Sequence, residues 1–538
     1  MPVRRSDNEA GFTMISVVLG ITLVIALSVV AVTAVRGDLG SNRHDLDQKR
    51  AYEAAKAGVN DYVFHLHDET DYWAKCTNVQ PPTNAVNQVG STAKRRPVPG
   101  NTGGTYAIEL LPASGQSTYK QCSTTNPGAS MLESSGMLKG TFRIRSTGYS
   151  GKAEVSIVAT FKPATFLDYV YFTQRETSDP VTYGYAEGTP QRNGINSQCS
   201  KSFEEGRMSA PIPGIKTIKE KKEVEETYCG VISFGKGDVI NGPMHTNDAF
   251  VYCDEPTLGR NSIDPVEVSG PYPGWYETRD IPKSGSSCSS TDENVKGTFI
   301  PDSPVINPPP SNSALQSIAG MKFAGQVRIC LNGTNMTYSY GKSCTAAPSL
   351  TTPIPANGVI YVENVECEPG YSPFTVTYPE TSKCGNAYIR GDYSGALTVA
   401  AANDIIIDGH LKHSGEGVLG LVANQFVRVF HPFPTQTSAT SCGTGGHGAG
   451  TIENLQIDAA ILAIEHSFIV DHYNCGSGLK KLTVNGAIAM KYRGPVGTSG
   501  GQGYVKDYNY DDRLRYMQPP YFIQPAESDW VVGRMTIE

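Results

Sequence analysis

Ile457-Asp458-Ala459-Ala460-Ile461 and Val484-Asn485-Gly486-Ala487-Ile488 are written to one pattern. A β-branched residue is followed by Asp or Asn, Gly or Ala, any residue, and an apolar one. Ile407-Asp408-Gly409-His410-Leu411 fits it too, and Ile240-Asn241-Gly242-Pro243-Met244 repeats it well upstream. Short apolar runs lie between these segments, at 397–400, 418–422, 426–430 and 468–470, with Asn, Asp or Gly marking corners. Side chains on a strand alternate between its two faces, so stacked coils bury every second residue against their neighbours. The text therefore reads as a right-handed parallel β-helix or solenoid over 353–538. A jelly roll or sandwich gives similar short strands, and periodicity alone leaves both open.

Composition agrees with a β-rich chain. The 538 residues include 56 Gly, 35 Pro and more Tyr (28) than Phe (17), a mixture suited to short strands joined by turns. Hydrophobic residues make up 39% and charged ones 18%, as in a folded protein. With 45 basic against 52 acidic residues the formal charge is −7, so binding of nucleic acid by bulk charge is disfavoured. Twelve cysteines begin at Cys76 and form no CxxC, which excludes a zinc ribbon or thioredoxin-type site. Their even number in polar Gly/Ser/Pro-rich text points to disulfides made in an oxidising compartment. Near neighbours suggest Cys330 with Cys344, Cys367 with Cys384, and Cys442 with Cys475. Spacing does not fix that connectivity.

The run from Phe12 to Val35 carries no charge. As a helix rising ~1.5 Å per residue it would span about 36 Å, enough to cross a bilayer once. Before it stands a polar leader, residues 1–11, with Arg4 and Arg5. Val32-Thr33-Ala34 would serve as a signal-peptidase site in a plain signal-peptide reading. Gly11-Phe12-Thr13-Met14-Ile15, where leader meets apolar run, instead resembles the class III leader of type IV pilins and pseudopilins. The resemblance implies cleavage by prepilin peptidase between Gly11 and Phe12 and methylation of the new Phe12 terminus. It implies too that the helix from Phe12 to Val35 serves as membrane anchor and then as filament core. The fifth mature residue is usually glutamate in that family and is Ser16 here. An unpaired carboxylate in lipid costs several kcal/mol, so its absence suits a subunit with nothing ahead of it. Ser16 therefore favours a tip or initiating subunit.

Apolar or small residues at 51, 54, 55, 58, 59, 62, 63 and 66 continue a helix of 3.6-residue period. The segment from Ala51 to Asn60 resembles PilX-like minor pilins. Alternating runs at 105–111, 141–146 and 153–161 read as strands. The fold class is thus an α+β pilin-like part, a long membrane-spanning helix on a small antiparallel sheet, followed by a large mostly-β domain. Boundaries follow as a leader (1–11), a transmembrane helix (12–35), a pilin-like domain (36–163), a Pro/Gly-rich β region (164–352) and the β-helix. A charged stretch at 216–226 reads as a short exposed helix, and Pro271-Tyr272-Pro273-Gly274 and 301–310 as linkers.

Met244-His245-Thr246-Asn247-Asp248 is the densest polar constellation. His245, Asn247 and Asp248 form a candidate surface site, weighed against a turn in which Asn and Asp cap their own backbone. Ser441-Cys442-Gly443-Thr444-Gly445-Gly446-His447-Gly448 holds a Cys and a His, the elements of a nucleophile pair, in a glycine-rich loop. Asp404 and Asp408, with Arg428, would be the natural residues if the β-helix carried polysaccharide lyase chemistry, weighed against Asp as an ordinary structural residue at solenoid corners. Tyr504, Tyr508, Tyr510 and Tyr516 would suit a glycan or protein contact or the end of a β-helix. No catalytic residue, metal or cofactor is assigned. The expectation is an exported, non-enzymatic minor pilin-like protein, single-pass in the bacterial cytoplasmic membrane or at the pilus tip. Its partners would be other pilin-like subunits, prepilin peptidase and a surface glycan or protein. An adhesin with a plain signal anchor and a glycan-active β-helix enzyme are the rivals.

Overall fold

Asp458 and Asn485 lie directly opposite each other on adjacent parallel strands, and Asn509 and Asn241 continue the row on the next two. Three of the four patterned segments therefore share one position on stacked coils, while 407–411 is set off by four residues, Leu411 and not Ile407 lying opposite Ile457. Asn485 Nδ2 donates to Asp458 Oδ1 (2.7 Å) and Asn241 Nδ2 to Asn509 Oδ1 (3.0 Å), so the corner satisfies its own polar groups. The computed structural model describes residues 10–69, 72–74, 95–100, 103–111, 113, 141–183, 232–252, 255–270, 275–277, 294–368, 370–515, 517–526 and 530–538. It divides into two units, 1–163 with 529–538, and 164–528. The intermediate region and the β-helix-like region are thus one body.

In the first unit, helix α1 (Ala10–Asp68) buries Ala51, Ala54, Ala55, Val59, Tyr62 and Leu66. They pack on an antiparallel sheet ordered Arg96–Pro97, Thr105–Leu111, Phe142–Ser150, Ala153–Pro163, Trp530–Ile537. The helix approaches so closely that a Cβ on Gly148 would stand 1.9 Å from the Ala51 carbonyl oxygen. The last strand comes from the far end of the chain, so the second unit is an insertion between Pro163 and Asp529.

The expected fold class and location are corrected here. Among the described residues no helix is long and apolar enough to cross a membrane. A single-pass transmembrane anchor and a membrane-spanning α+β class are therefore not supported, and the chain is mostly β. Nothing is described of the leader before Ala10, of the side chains of Gly11, Phe12 and Val35, or of 216–226 and 271–274.

The second unit is a three-faced parallel solenoid. One face stacks Met321–Ala324, Val359–Glu363, Leu397–Ala401, Leu419–Ala423, Leu455–Ala463 and Gly478–Arg493 in chain order. The next strand in the stack is Tyr171–Ser178, followed by Met244–Thr246, Pro265–Val268 and Thr298–Ile300. The order is permuted. The chain enters mid-stack, coils to one end, crosses to the other, and coils back to meet its own beginning. Residues 301–320 make that crossing, so the proline-rich segment is a strap and not a linker.

Contacts along the strap explain why it is held. Asn247 donates to the Ile306 carbonyl (2.7 Å) and accepts from the Ile306 amide (3.0 Å). Further along, Asn312 Nδ2 donates to the carbonyls of Ala401 (2.8 Å) and Val422 (2.9 Å). Ile306, Leu315 and Phe522 cover the outer side of the face, burying Tyr361, Ala400, Val422 and Leu462. Leu397–Ala401 and Leu419–Ala423 are buried at every position for this reason, as strands covered on both faces are.

Candidate functional site

The strands Val427–Val429 and Phe468–Val470 pair in parallel and end together. Both chains then leave the solenoid as loops, His431-Pro432-Phe433-Pro434 on one side and Asp471-His472 on the other. A disulfide between Cys442 and Cys475 ties the two loops. Cys330–Cys344 and Cys367–Cys384 are also formed, and among the described residues no cysteine is free.

Between the loops and the segment 375–378 opens a cavity of about 520 Å³. Tyr378, Phe433, Pro432 and Pro434 give it flat apolar walls, and Thr377, Gln436 and His472 add polar atoms. None of its lining residues is Asp, Glu, Lys or Arg. Arg428 lies nearby, only 5% exposed. Its Nη1 is 3.3 Å from both carboxylate oxygens of Asp471, which also accept from Tyr371 (2.6 Å) and Tyr378 (2.9 Å). Arg428 Nε is 3.0 Å from Asp404 Oδ2 yet out of line for a hydrogen bond, so that contact is an ion pair only. Burial holds Asp404 above the ordinary carboxylate range even beside the guanidinium, which it shares with Asp471. Burial and Asp471 push both phenols well up. Burial opposes the charge on Arg428, but Asp471 and Asp404 more than offset it and raise its pKa. The network is a buried floor that positions Tyr378.

Of the nearby histidines His472 lines the cavity, while His431 and His447 pack against Phe433. His431 Nδ1 is 2.9 Å from the Asp471 carbonyl oxygen, and His431 Nε2 is 2.8 Å from His447 Nδ1. His447 Nε2 is in turn 2.9 Å from Ser477 Oγ. Burial lowers His431 to about 4, against the hydrogen bond to Asp471. His472 is also lowered by burial, and its Nδ1 is 2.7 Å from Gln436 Oε1. Phe433 lines the cavity and meets both His431 and His447 edge-on. Gly476, at φ +82°, has no room for a side chain: a Cβ there would lie 2.4 Å from the His447 ring.

No family model matches the chain, and none of the curated proteins does. Among solved structures it is similar to the competence-associated pilin ComZ from Thermus thermophilus, at 13% identity and a TM-score of 0.25. The alignment covers 92% of this chain and 98% of that one. So loose a superposition transfers neither fold nor function.

The residues singled out from sequence disperse. His245, Asn247 and Asp248 are all buried and form no surface site. His245 lies between Glu267 (2.9 Å) and Asn247 (2.9 Å), while Asp248 accepts from the Glu176 amide (3.0 Å). Asp408 pairs with Arg328 (3.2 Å), not with Arg428. Tyr504, Tyr508 and Tyr510 belong to the solenoid core, which removes them as a recognition surface, and Tyr516 lies outside the described residues. Ser16 is exposed on α1. Cys442, being disulfide-bonded, is no nucleophile. Sequence reading found His447 but missed Ser477, His431 and His472, whose only signal was the break in the coil pattern after Val429 and Val470.

Proposed function

We propose that this chain is a pilin-like filament subunit of the minor, tip-placed kind, presenting a solenoid that binds an uncharged glycan in the cavity beside Phe433. The observation that carries this reading is the division of α1. Its second half is buried on the sheet, while Met14, Leu19, Val24 and Leu27 are 60–72% exposed or close to it, at 72%, 65%, 62% and 61%. Apolar side chains exposed all round this half of the helix demand cover, and helices of other pilin-like subunits supply it. Gly11-Phe12, at the start of this helix, is the place for a leader cut. Ser16 and the bulk of the insertion favour a position occupied once per filament, since a domain of this size on every subunit would clash. Aromatic and proline faces with threonine hydroxyls suit a neutral sugar, which stacks its C–H face and hydrogen-bonds its rim.

The test is N-terminal sequencing of the mature protein from its native source, together with cross-linking through Val24→Cys. A chain beginning at methylated Phe12 and cross-linked to other pilin-like subunits is the expected result. An intact Met1 with no such cross-link would overturn the reading.

A further inference from the structure

We propose that Ser477, His447 and His431 form a nucleophilic relay that hydrolyses uncharged O-acyl esters. The inference goes beyond the filament reading and does not rest on it.

The hydrogen-bond directions follow from the acceptors. The Asp471 carbonyl oxygen can only accept, so His431 carries its proton on Nδ1. The neutral ring then has a bare Nε2, and the neighbouring nitrogen, His447 Nδ1, must be the donor between them. That assignment leaves His447 Nε2 as an acceptor, facing the Ser477 hydroxyl at 2.9 Å. A serine hydroxyl thus donates to an imidazole whose far nitrogen is oriented by a third group, the arrangement that activates a serine. Here a histidine stands where a carboxylate is more usual. The Asp471 carboxylate is not available for that role, being engaged with Arg428, Tyr371 and Tyr378.

The surroundings complete the set. Ser477 is exposed, so a substrate reaches it directly. Among the described residues the backbone amides of Gly476 and Ser477 donate to no protein acceptor, which leaves two adjoining N–H groups for an oxyanion. Gly476 keeps the loop against the His447 ring, and the Cys442–Cys475 disulfide holds the two loops together. Phe433, which meets the His431 and His447 rings, also lines the uncharged cavity, which favours a neutral ester.

In the reaction Ser477 Oγ attacks the ester carbonyl carbon and its proton passes to His447 Nε2. The tetrahedral intermediate collapses, the C–O bond to the leaving alcohol breaks, and His447 returns the proton to that oxygen. Water then attacks the acyl carbon and gives a proton to His447 Nε2, the bond to Ser477 Oγ breaks, His447 returns the proton to that oxygen, and the carboxylic acid leaves. No oxidant, reductant or cofactor enters.

The experiment is to treat the full chain at pH 8 with a fluorophosphonate probe and locate the label by peptide mass, with 4-nitrophenyl acetate turnover in parallel. Labelling at Ser477 is expected, absent in Ser477→Ala and slowed about 100-fold in His447→Ala. His431 is a positioning residue. His431→Gln, whose amide oxygen can still take the His447 Nδ1 proton, should label and turn over faster than His431→Phe. Thermal unfolding of each variant guards against misfolding. An unlabelled Ser477 in the folded protein, or a labelling rate unchanged in His447→Ala, would overturn the relay.

Discussion

Two histidine constellations stand in this solenoid, and they differ in what their polar atoms have left to offer. Around His245 every group is consumed. The ring lies between Glu267 and Asn247, Asn247 holds both backbone groups of Ile306, and the strap lies over the whole. Around His431 the chain of hydrogen bonds runs outward from the buried Asp471 to an exposed serine beside an open cavity. Both look alike as text, a histidine among small polar residues. What separates them is whether both ends of the hydrogen-bond chain are held inside the fold or one end, the Ser477 hydroxyl, is exposed to a ligand.

The sharpest way to break this contrast is to strip the charge beneath the cavity. Arg428→Met leaves Asp471 and Asp404 buried without their cation, and urea unfolding should show a loss of about 3–5 kcal/mol. A loss below ~1 kcal/mol would mean that the Arg428 charge does not hold the floor together.

Next in size is a pH effect on the open constellation. His431 is lowered to about 4 from an ordinary 6.5, so between those values the unfolded chain binds a proton that the native one does not. Stability should therefore fall as pH drops from about 6.5 to 4, by on the order of 3 kcal/mol. His472 adds in the same direction. His466 acts oppositely: burial alone would lower it, but Asp179 raises it, so its contribution is present below 6.5 and is lost as pH rises through the folded pKa. Unfolding of His431→Gln across this range should show a shallower slope than the parent.

For the sealed constellation, Asn247→Leu frees both backbone groups of Ile306 inside the protein. A loss of about 1–3 kcal/mol is expected, with faster hydrogen exchange at 304–308. The smallest effect belongs to the corner row, where Asn485→Ala should remove about 1 kcal/mol because water can reach that row and replace part of the bond. A loss there as large as at Asn247 would make the half-exposed row as important as the buried strap contact.

The coil itself was legible in the sequence. Ile457, Val484 and Ile240 occupy equivalent places because strand alternation forces an inward residue before each corner. The stacking order was not legible, since the edge of one coil presents the same backbone groups as any other and pairs with whichever the topology brings. Nor does the text show that 301–310 is a strap, as the bonds from Asn247 and Asn312 reach it from remote coils. The apolar run at the N-terminus announced a membrane span, whereas the helix described there does not meet the requirement for one. His447 drew notice through its glycines. Its partner Ser477 lies 30 residues away across a disulfide, and no local pattern marks a serine that another loop will approach.

The permuted stack has a consequence for how the molecule is made. Strand Tyr171–Ser178 can gain its upper neighbour only when Gly478–Arg493 has emerged, and the ion pair Arg493–Glu176 closes over a separation of 317 residues. Until then the first-synthesised coils present a bare sheet edge, the form most prone to pair with the wrong strand. During synthesis this domain would thus stay open along one edge until its last coils arrive and close the seam like the final stave of a cask.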